Sequence, residues 1–301
     1  MKNTKPTTII LLILLFCSFG LSKDLKSQAT FNKIVIDAGH GGKDPGASGK
    51  YSREKDVALS IALKTGQLIK ERHPDIEIVY TRTTDVFIPL KERAEIANRS
   101  NADLFVSIHC NSNKSSQPNG SETYVMGLHK SEANLDVAKA ENSAILFEED
   151  YKTNYDGFDP TSEENHIIFN FFQNSFLHHN LDLATKVQSQ FNEYTPLQDR
   201  GVKQAGFWVL YKTTMPGVLI ETDFLSNTKD EKFLNSKEGQ EKLSEAKAVA
   251  ISDYKKDHDE KEQLKVNQKN NTPVASQMET ESENAQKKEE KTGEIYSSIE
   301  E

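Results

Sequence analysis

The chain has 301 residues and a formal net charge of −9. This acidic balance argues against general nucleic-acid binding, which favours a basic face, so we expect no nucleic-acid partner. Only two cysteines are present, Cys17 and Cys110, and the first lies in a segment that we expect to be removed. The mature chain is therefore expected to have no internal disulfide.

The first residues have the pattern of an export signal. Lys2 and Lys5 precede an apolar stretch that runs from Thr8 to about Leu21. A basic region followed by a short apolar region predicts a signal peptide over residues 1–22, although the cleavage site is not defined. The stretch is short for a spanning helix, so we expect no stable membrane span after cleavage; an uncleaved anchor is the alternative.

Apolar runs of strand length alternate with helical patterns in the middle of the chain. The predicted strands are 33–37, 76–81, 104–109, 122–126, 207–211 and 217–221, and the predicted helices are 54–72, 90–100, 181–194 and 233–255. This alternation predicts one α/β domain over residues 29–254. Its sheet should be twisted, mostly parallel or mixed, and flanked by helices.

Two segments depart from this pattern. Residues 129–175 form a long, acidic and partly apolar stretch, and loops of this size are usually functional or disordered. Apolar residues from Val137 to Phe147 recur at helical spacing, which favours a helical insertion. Residues 255–301 are rich in Lys, Glu, Gln, Asn and Ser and poor in aromatic residues, which predicts a disordered charged tail.

Candidate ligands follow the ends of three apolar runs. His40 follows the run "IVIDAG" in a glycine-rich turn, His109 ends "LFVSIH", and Glu221 ends "GVLIE". Glu54 opens the helix after the glycine-rich turn. Active sites of α/β proteins gather at the carboxyl ends of strands. Two histidines and one glutamate with an open fourth position form a known catalytic zinc set, and a second glutamate can act as the base.

Spacing alone leaves other interpretations open. Glu54 also suits the positive end of a helix dipole, and His109 could be an ordinary buried histidine. Glu221 could pair with a basic side chain such as Lys203. The H-E-x-x-H motif of helical metalloproteases is absent, and the glycines match neither a P-loop nor a dinucleotide fingerprint.

A resemblance to a known family adds to these patterns. The motifs occur in order as "IVIDAGHGGKDPGA", "REKDVAL", "TRTTDVFIPLKERAEIANRSNADLFVSIHCNS", "GVKQAGFWVL" and "PGVLIETDFLSN". Together they resemble the zinc-dependent N-acetylmuramoyl-L-alanine amidases of the amidase_3 type, which are bacterial cell-wall hydrolases. The resemblance runs from about Ile34 to the closing helix.

The resemblance implies a substrate and a role for each candidate residue. Zn²⁺ would be held by His40, Glu54 and His109, and Glu221 would be catalytic. The bond cleaved would be the amide between N-acetylmuramic acid and the L-alanine of the peptidoglycan stem peptide, which places the protein in a periplasm. The family motifs at 81–85 and 93–98 would be mainly structural. Asp37, Asn111 and Asn113 are further candidates for side chains that support the ligands, and a role in turns is the alternative.

Single residues indicate one branch of the family, and the insertion indicates regulation. Thr222 resembles the division-associated branch, whereas Asp223 stands where many members have glycine, and Cys110 replaces a more usual alanine. Repulsion from Asp223 could shift the pKa of Glu221. In that branch a helix of the insertion covers the zinc cleft until an activator protein displaces it. Glu141 is the first candidate for the blocking residue and Glu148 the second; the alternative is that these acids form a solvated helix face.

Two other functions are compatible with the sequence. The chain could be a catalytically silent scaffold that binds peptidoglycan, although an intact Glu221 argues against this. It could also be a zinc peptidase that acts on the peptide cross-links of the cell wall.

Overall fold

Six strands form one mixed sheet in the computed structural model, which describes residues 31–166, 168–169 and 175–271. The strands are β1 (Lys33–Ala38), β2 (Glu77–Tyr80), β3 (Leu104–Asn111), β4 (Ser121–Met126), β5 (Asp199–Ala205) and β6 (Gly217–Phe224). Their order across the sheet is β2-β1-β3-β6-β4-β5. Strands β2, β1, β3 and β6 are mutually parallel. Strand β4 pairs antiparallel with β6 and parallel with β5. The prediction of an α/β fold with a mixed sheet is confirmed.

Helices cover both faces of the sheet. They are α1 (Glu54–Arg72), α2 (Leu90–Arg99), α3 (Glu132–Asn142), α4 (Tyr151–Asn154), α5 (Glu163–His166), α6 (Leu177–Tyr194), α7 (Trp208–Tyr211), α8 (Thr228–Asn235) and α9 (Lys237–Asn271), and a 3₁₀ turn spans Ser143–Phe147. No helix among the described residues is long and apolar enough to cross a membrane. The predicted signal peptide, 1–22, lies outside the described residues.

The sheet separates two hydrophobic cores. Ile34 and Ile36 of β1 face one core, which contains apolar residues of α1, α6 and α9. Val35, between them, faces the other core, which contains residues of α2, α7 and the insertion. Because successive side chains of a strand point to opposite faces, a strand buried on both faces has a continuous apolar run. This explains why "IVI" is apolar throughout.

One predicted strand is wrong and one strand was missed. Residues 207–211 were predicted as a strand, but Trp208–Tyr211 forms the short helix α7, whose apolar side chains pack into the second core. The strand of this region is Asp199–Ala205, at the edge of the sheet. An edge strand is only half buried, so its sequence "DRGVKQA" lacks the apolar run that marks an interior strand.

The carboxyl-terminal end of the chain also differs from expectation. The predicted closing helix, 233–255, is divided at Ser236 between α8 and α9. The predicted disordered tail begins at residue 255, but α9 continues to Asn271. Lys, Glu and Gln are good helix formers, and extending an existing helix avoids the cost of nucleation. Residues 272–301 of the predicted tail lie outside the described residues.

A buried ion pair supports the turn that carries His40. Asp37, at 0% exposure, accepts hydrogen bonds from Thr81 Oγ1 (2.6 Å), Ser107 Oγ (2.7 Å) and Arg93 Nη1 (2.8 Å). The Arg93 guanidinium also donates to the carbonyl oxygens of Ala38 (2.6 Å) and His40 (2.6 Å). The arginine therefore joins the end of β1 to the turn that follows it.

We expect the Asp37→Ala variant to lose about 3 kcal/mol of unfolding free energy, because it leaves Arg93 buried without its counter-ion. Urea unfolding measures this loss. The matched control is Glu92→Ala, which breaks the exposed pair with Arg99 (2.5 Å) and should cost less than about 1 kcal/mol. Equal losses in the two variants would contradict the structural role of Asp37.

The same pair predicts the direction of a pH effect. Burial raises the pKa of Asp37, but Arg93, Ser107 and Thr81 outweigh burial and leave the pKa below its usual 3.8. Since the pKa is lower in the folded state than in the unfolded state, the contribution of Asp37 to stability is present above about pH 4. It should be lost as the pH falls through the folded-state pKa.

Candidate metal centre and active site

The turn after β1 directs the ring of His40 into the cleft. His40 has a φ of 58°, in the left-handed region that few residues other than glycine occupy. Its Nδ1 lies 2.8 Å from Asp44 Oδ2, and Arg82 donates to the carbonyl oxygen of Gly39 (2.7 Å). A carboxylate on one ring nitrogen fixes the orientation of a ligating histidine. The other ring nitrogen, Nε2, is available to a ligand in the cleft that His40 lines.

Glu54 lies in the first turn of α1 with both carboxylate oxygens held by backbone groups. Oε1 accepts from the amide of Cys110 (2.9 Å), and Oε2 accepts from the amide of Ala47 (2.8 Å). Burial raises the pKa of Glu54, but the nearby rings of His40 and His109 outweigh burial and lower it. The side chain is therefore an ionised, oriented ligand for a cation.

His109 reaches the same point from the end of β3. Its Nδ1 lies 3.1 Å from Glu54 Oε1, and its ring centroid lies 4.9 Å from that of His40. A Cβ atom added to Gly39 would lie 2.4 Å from Cε1 of His109. Only glycine leaves room for this ring, which accounts for one glycine of the motif.

Glu141 of α3, in the insertion, is the fourth side chain of the cluster. Its Oε2 lies 2.7 Å from His109 Nδ1 and 3.2 Å from His40 Nε2. Its side chain is 12% exposed. Burial raises the pKa of Glu141, but the charges of His109 and His40 outweigh it and lower the pKa. The insertion therefore adds a fourth ligand atom to those of His40, Glu54 and His109.

These four side chains fit a metal ion. Their ligand atoms all lie within 4.8 Å of one another, and tetrahedral coordination by zinc requires separations of about 3.3 Å. Nε2 of His40 is buried and close to two carboxylates, yet it has no hydrogen bond of acceptable geometry to any described residue. Glu141 Oε2 is likewise buried without a hydrogen-bond partner among the described residues, and a cation between these converging atoms would satisfy both.

Glu221 stands beside this cluster on β6. It pairs in register with His109 of β3 and with Glu122 of β4. Its side chain is at 0% exposure, and neither carboxyl oxygen has a hydrogen-bond partner among the described residues. Burial, and then the charge of Glu141, raises the pKa of Glu221 well above its usual range. A carboxyl with a raised pKa beside a metal site is suited to proton transfer.

Comparison with known proteins places this geometry in a family. Residues 34–253 match the Amidase_3 family, described as N-acetylmuramoyl-L-alanine amidase. The chain belongs to this amidase family. It is 35% identical over 226 residues to the N-acetylmuramoyl-L-alanine amidase AmiC of Escherichia coli O6:H1, a match that covers 73% of this chain and 52% of AmiC. The chain thus spans about half the length of that relative.

Two solved amidase structures share the fold. One is the catalytic domain of CwlV from Bacillus (Paenibacillus) polymyxa, with 32% identity, a TM-score of 0.55, and coverage of 74% of this chain and 97% of that one. The other is the CwlD amidase of Clostridioides difficile, solved in complex with the GerS lipoprotein. It has 27% identity, a TM-score of 0.54, and coverage of 74% of this chain and 98% of that one.

Other predicted residues lie outside the ligand cluster of the amidase site. Glu148, the second candidate for a blocking residue, instead accepts from Tyr155 Oη (2.5 Å). Asp37 supports the turn that carries His40 through its ion pair with Arg93. Asn111 donates to Glu122 (3.1 Å), and the amide of Asn113 donates to Ser226 Oγ (3.0 Å). None of these contacts positions a ligand side chain directly.

Asp223 is not among the five largest influences on the pKa of Glu221. It lies beside Asp230, and burial, followed by that carboxyl, raises the pKa of Asp223 to about 10. Lys203, considered as a partner of Glu221, instead donates to Glu122 Oε1 (2.6 Å). Sequence reasoning missed Asp44 and Glu122. Asp44 lies inside the glycine-rich motif, four residues after His40, so the motif itself contained that signal.

Proposed function

We propose that this chain is an exported, zinc-dependent amidase that cleaves the bond between N-acetylmuramic acid and the L-alanine of the peptidoglycan stem peptide. The observation that carries the proposal is the buried, unpartnered carboxyl of Glu221 beside the ligand atoms of His40, Glu54 and His109. A zinc ion bound there would polarise the amide carbonyl and make water more acidic. Family membership and the AmiC similarity support the substrate.

Three residues of the chain would bind the metal ion, and a fourth would transfer the proton. His40, Glu54 and His109 would hold the ion, and their backbone and carboxylate partners keep them oriented. A carboxylate oxygen of Glu221 would accept a proton from the attacking water as it adds to the amide carbon. The same oxygen would then donate that proton to the nitrogen of the leaving L-alanine. Its register pairing with His109 supports a position close to the reacting bond.

Mass spectrometry of digested peptidoglycan tests this proposal. An amidase releases stem peptides that begin with L-alanine and leaves bare sugar chains. Products that retain part of the stem on the sugar would instead show a peptidase that cuts cross-links. Binding without any released peptide would show a silent scaffold.

We further propose that the insertion holds the enzyme inactive. Glu141 occupies the position where a fourth ligand or substrate would bind, so docked α3 competes with substrate for the cleft. Asn142 at the end of α3 donates to the carbonyl of Gly206 (2.8 Å) and accepts from the amide of Trp208 (2.8 Å). These two hydrogen bonds fasten the helix to the segment after β5.

An activator protein would displace this helix. Leu146 and Phe147, just beyond α3, are 46% and 40% exposed and offer an apolar contact. The CwlD amidase, solved with a lipoprotein, is a related chain with a protein partner. Regulation by a partner suits an enzyme whose uncontrolled action would damage the cell wall. Daughter-cell separation is the process that we propose, and the predicted signal peptide would direct the chain to the periplasm.

We expect Glu141→Ala to raise the basal rate of peptidoglycan hydrolysis about tenfold or more, because it removes the group that fills the open position. Rates of stem-peptide release measure this. The control is Glu132→Ala, a change at the exposed start of α3 that should leave the rate unchanged. A point substitution is preferable to deletion because Ala138, Ile145 and Tyr155 belong to the second core. An unchanged or lower rate for Glu141→Ala would contradict autoinhibition.

A further inference from the structure

A second charged cluster lies beside Glu221, centred on the neighbouring strand β4 and extending to β5 beyond it. Glu122 of β4, 2% exposed, accepts from Arg200 Nε (2.5 Å), Lys203 Nζ (2.6 Å), Tyr124 Oη (2.7 Å) and Asn111 Nδ2 (3.1 Å). Two cations surround one carboxylate, so the cluster has an excess of positive charge. Nothing in the proposed proton transfer uses this charge.

A β-bulge brings the two cations to the same face. Between two paired positions β4 has one residue, Glu122, whereas β5 has two, Arg200 and Gly201. Residues three apart on a regular strand point to opposite faces, so Arg200 and Lys203 would otherwise diverge. The extra residue restores them to one side, and Gly201 permits it with a φ of 82°. Bulges beside active sites commonly redirect a side chain in this way.

Both cations are restrained and face the active-site cleft. This cleft, of about 880 Å³, is lined by Arg200 and Lys203 together with His40 and Glu54. The guanidinium of Arg200 lies 5.1 Å from the ring centroid of Phe224. Its side chain is 30% exposed, and only Nε has a hydrogen-bond partner among the described residues. The two Nη groups are therefore free to form a fork for a ligand.

We propose that Arg200 and Lys203 bind a carboxylate of the stem peptide, one or two residues beyond the L-alanine of the scissile amide. A planar guanidinium fork matches a carboxylate in geometry, and a lysine adds a point charge. The inference rests on the proposed function, because it assigns part of that substrate to this subsite.

The distances agree with this assignment. β5 lies two strand spacings from β6, or about 10 Å, and an extended peptide advances about 3.5 Å per residue. Two or three residues of the stem therefore reach from Glu221 to Arg200. Stem peptides have free carboxylates in this range. The second residue is joined through its side-chain carboxyl and leaves its α-carboxylate free, and a third residue such as diaminopimelate has another.

Amidated substrates provide the test. We would measure kcat and KM of the zinc-loaded mature chain on three muropeptides: one with both carboxylates free, one amidated at the second residue, and one amidated at the third. The parent should prefer the free acid over the peptide amidated at the contacted residue by about tenfold in kcat/KM, mainly through KM. The amidated substrate whose kcat/KM falls below that of the free acid identifies which carboxylate is bound.

Variants separate a specific contact from general charge. Arg200→Gln should abolish the preference by raising KM for the free acid, and Arg200→Lys should restore part of it. Lys203→Gln is the second variant, should Arg200→Gln fail to fold. The control Lys114→Gln removes a cation that lines the same cleft and should keep the preference. Equal kcat/KM for all three substrates, or equal losses on all three in Arg200→Gln, would overturn the inference.

A binding measurement keeps this result separate from the proposed function. Calorimetry with free stem peptide, as acid and as amide, needs no turnover. Tighter binding of the acid in the parent but not in Arg200→Gln supports the subsite even if no substrate is cleaved, in which case only the proposed function fails. Equal binding of acid and amide by the parent would overturn the subsite whatever the enzyme cleaves.

Discussion

Glu221→Gln should retain the parent's zinc content and hydrolyse peptidoglycan about 100-fold to 10,000-fold more slowly, because general acid–base catalysis contributes this much. Glutamine has nearly the shape of glutamate but cannot accept and return a proton. The side chain is fully buried and has no hydrogen-bond partner among the described residues, so the substitution should disturb no existing contact. Initial rates of stem-peptide release and metal analysis measure the two effects.

Asp223→Asn is the matched control for this variant. Asp223 is also buried on β6, two residues from Glu221, but it accepts from the amides of Gly120 (3.2 Å) and Phe224 (3.0 Å). We expect it to keep most of the activity. A Glu221→Gln enzyme that works at the parent rate would remove Glu221 from the catalytic role.

His109→Ala should lose both bound zinc and activity. The substitution removes one of three proposed ligands and one of the two rings that compensate the charge of Glu54. Each missing ligand exposes the ion to exchange with solvent, so we expect less than about one tenth of the parent's zinc and activity after dialysis. Metal analysis of the dialysed protein measures the first and peptide release the second.

His73→Ala is a suitable control for the loss of a histidine. His73 lies at the end of α1, where Nε2 is 2.8 Å from Ser252 Oγ, outside the ligand cluster. We expect this variant to keep its zinc. Full metal occupancy in His109→Ala would remove His109 from the ligand set.

The position of the candidate site could be predicted because parallel strands end at one edge. β1, β3 and β6 are adjacent and parallel, so residues that follow their apolar runs must lie near one another. This is how His40, His109 and Glu221 were selected from the sequence. The family resemblance is confirmed, whereas the roles of these residues remain predictions that the variants above test.

The outer contacts of the site could not be predicted in the same way. The environment of Glu122 depends on β5, an edge strand whose half-exposed sequence has no continuous apolar run. It depends also on a bulge in β5. The bulge puts Arg200 and Lys203 on the same face of the sheet, whereas regular alternation of side chains would put them on opposite faces. Register and bulges are set by pairing between distant segments, and a single sequence does not display that pairing.

The choice between Glu141 and Glu148 shows a similar limit. Residues seven apart lie on the same face of a continuous helix, so helical spacing alone does not distinguish them. In the structure α3 ends at Asn142, a 3₁₀ turn spans Ser143–Phe147, and Glu148 has an extended backbone, so the α-helix does not continue to Glu148. Glu141 therefore reaches the ligand cluster, whereas Glu148 contacts Tyr155.

Metal dependence is the most direct test of the account. Purified mature protein would be analysed for zinc, and stem-peptide release would be followed before and after dialysis against a strong chelator, and again after zinc is restored. We predict about one zinc per chain, loss of release on chelation, and recovery with added zinc. A metal-free protein that still releases stem peptides beginning with L-alanine at an undiminished rate would contradict it.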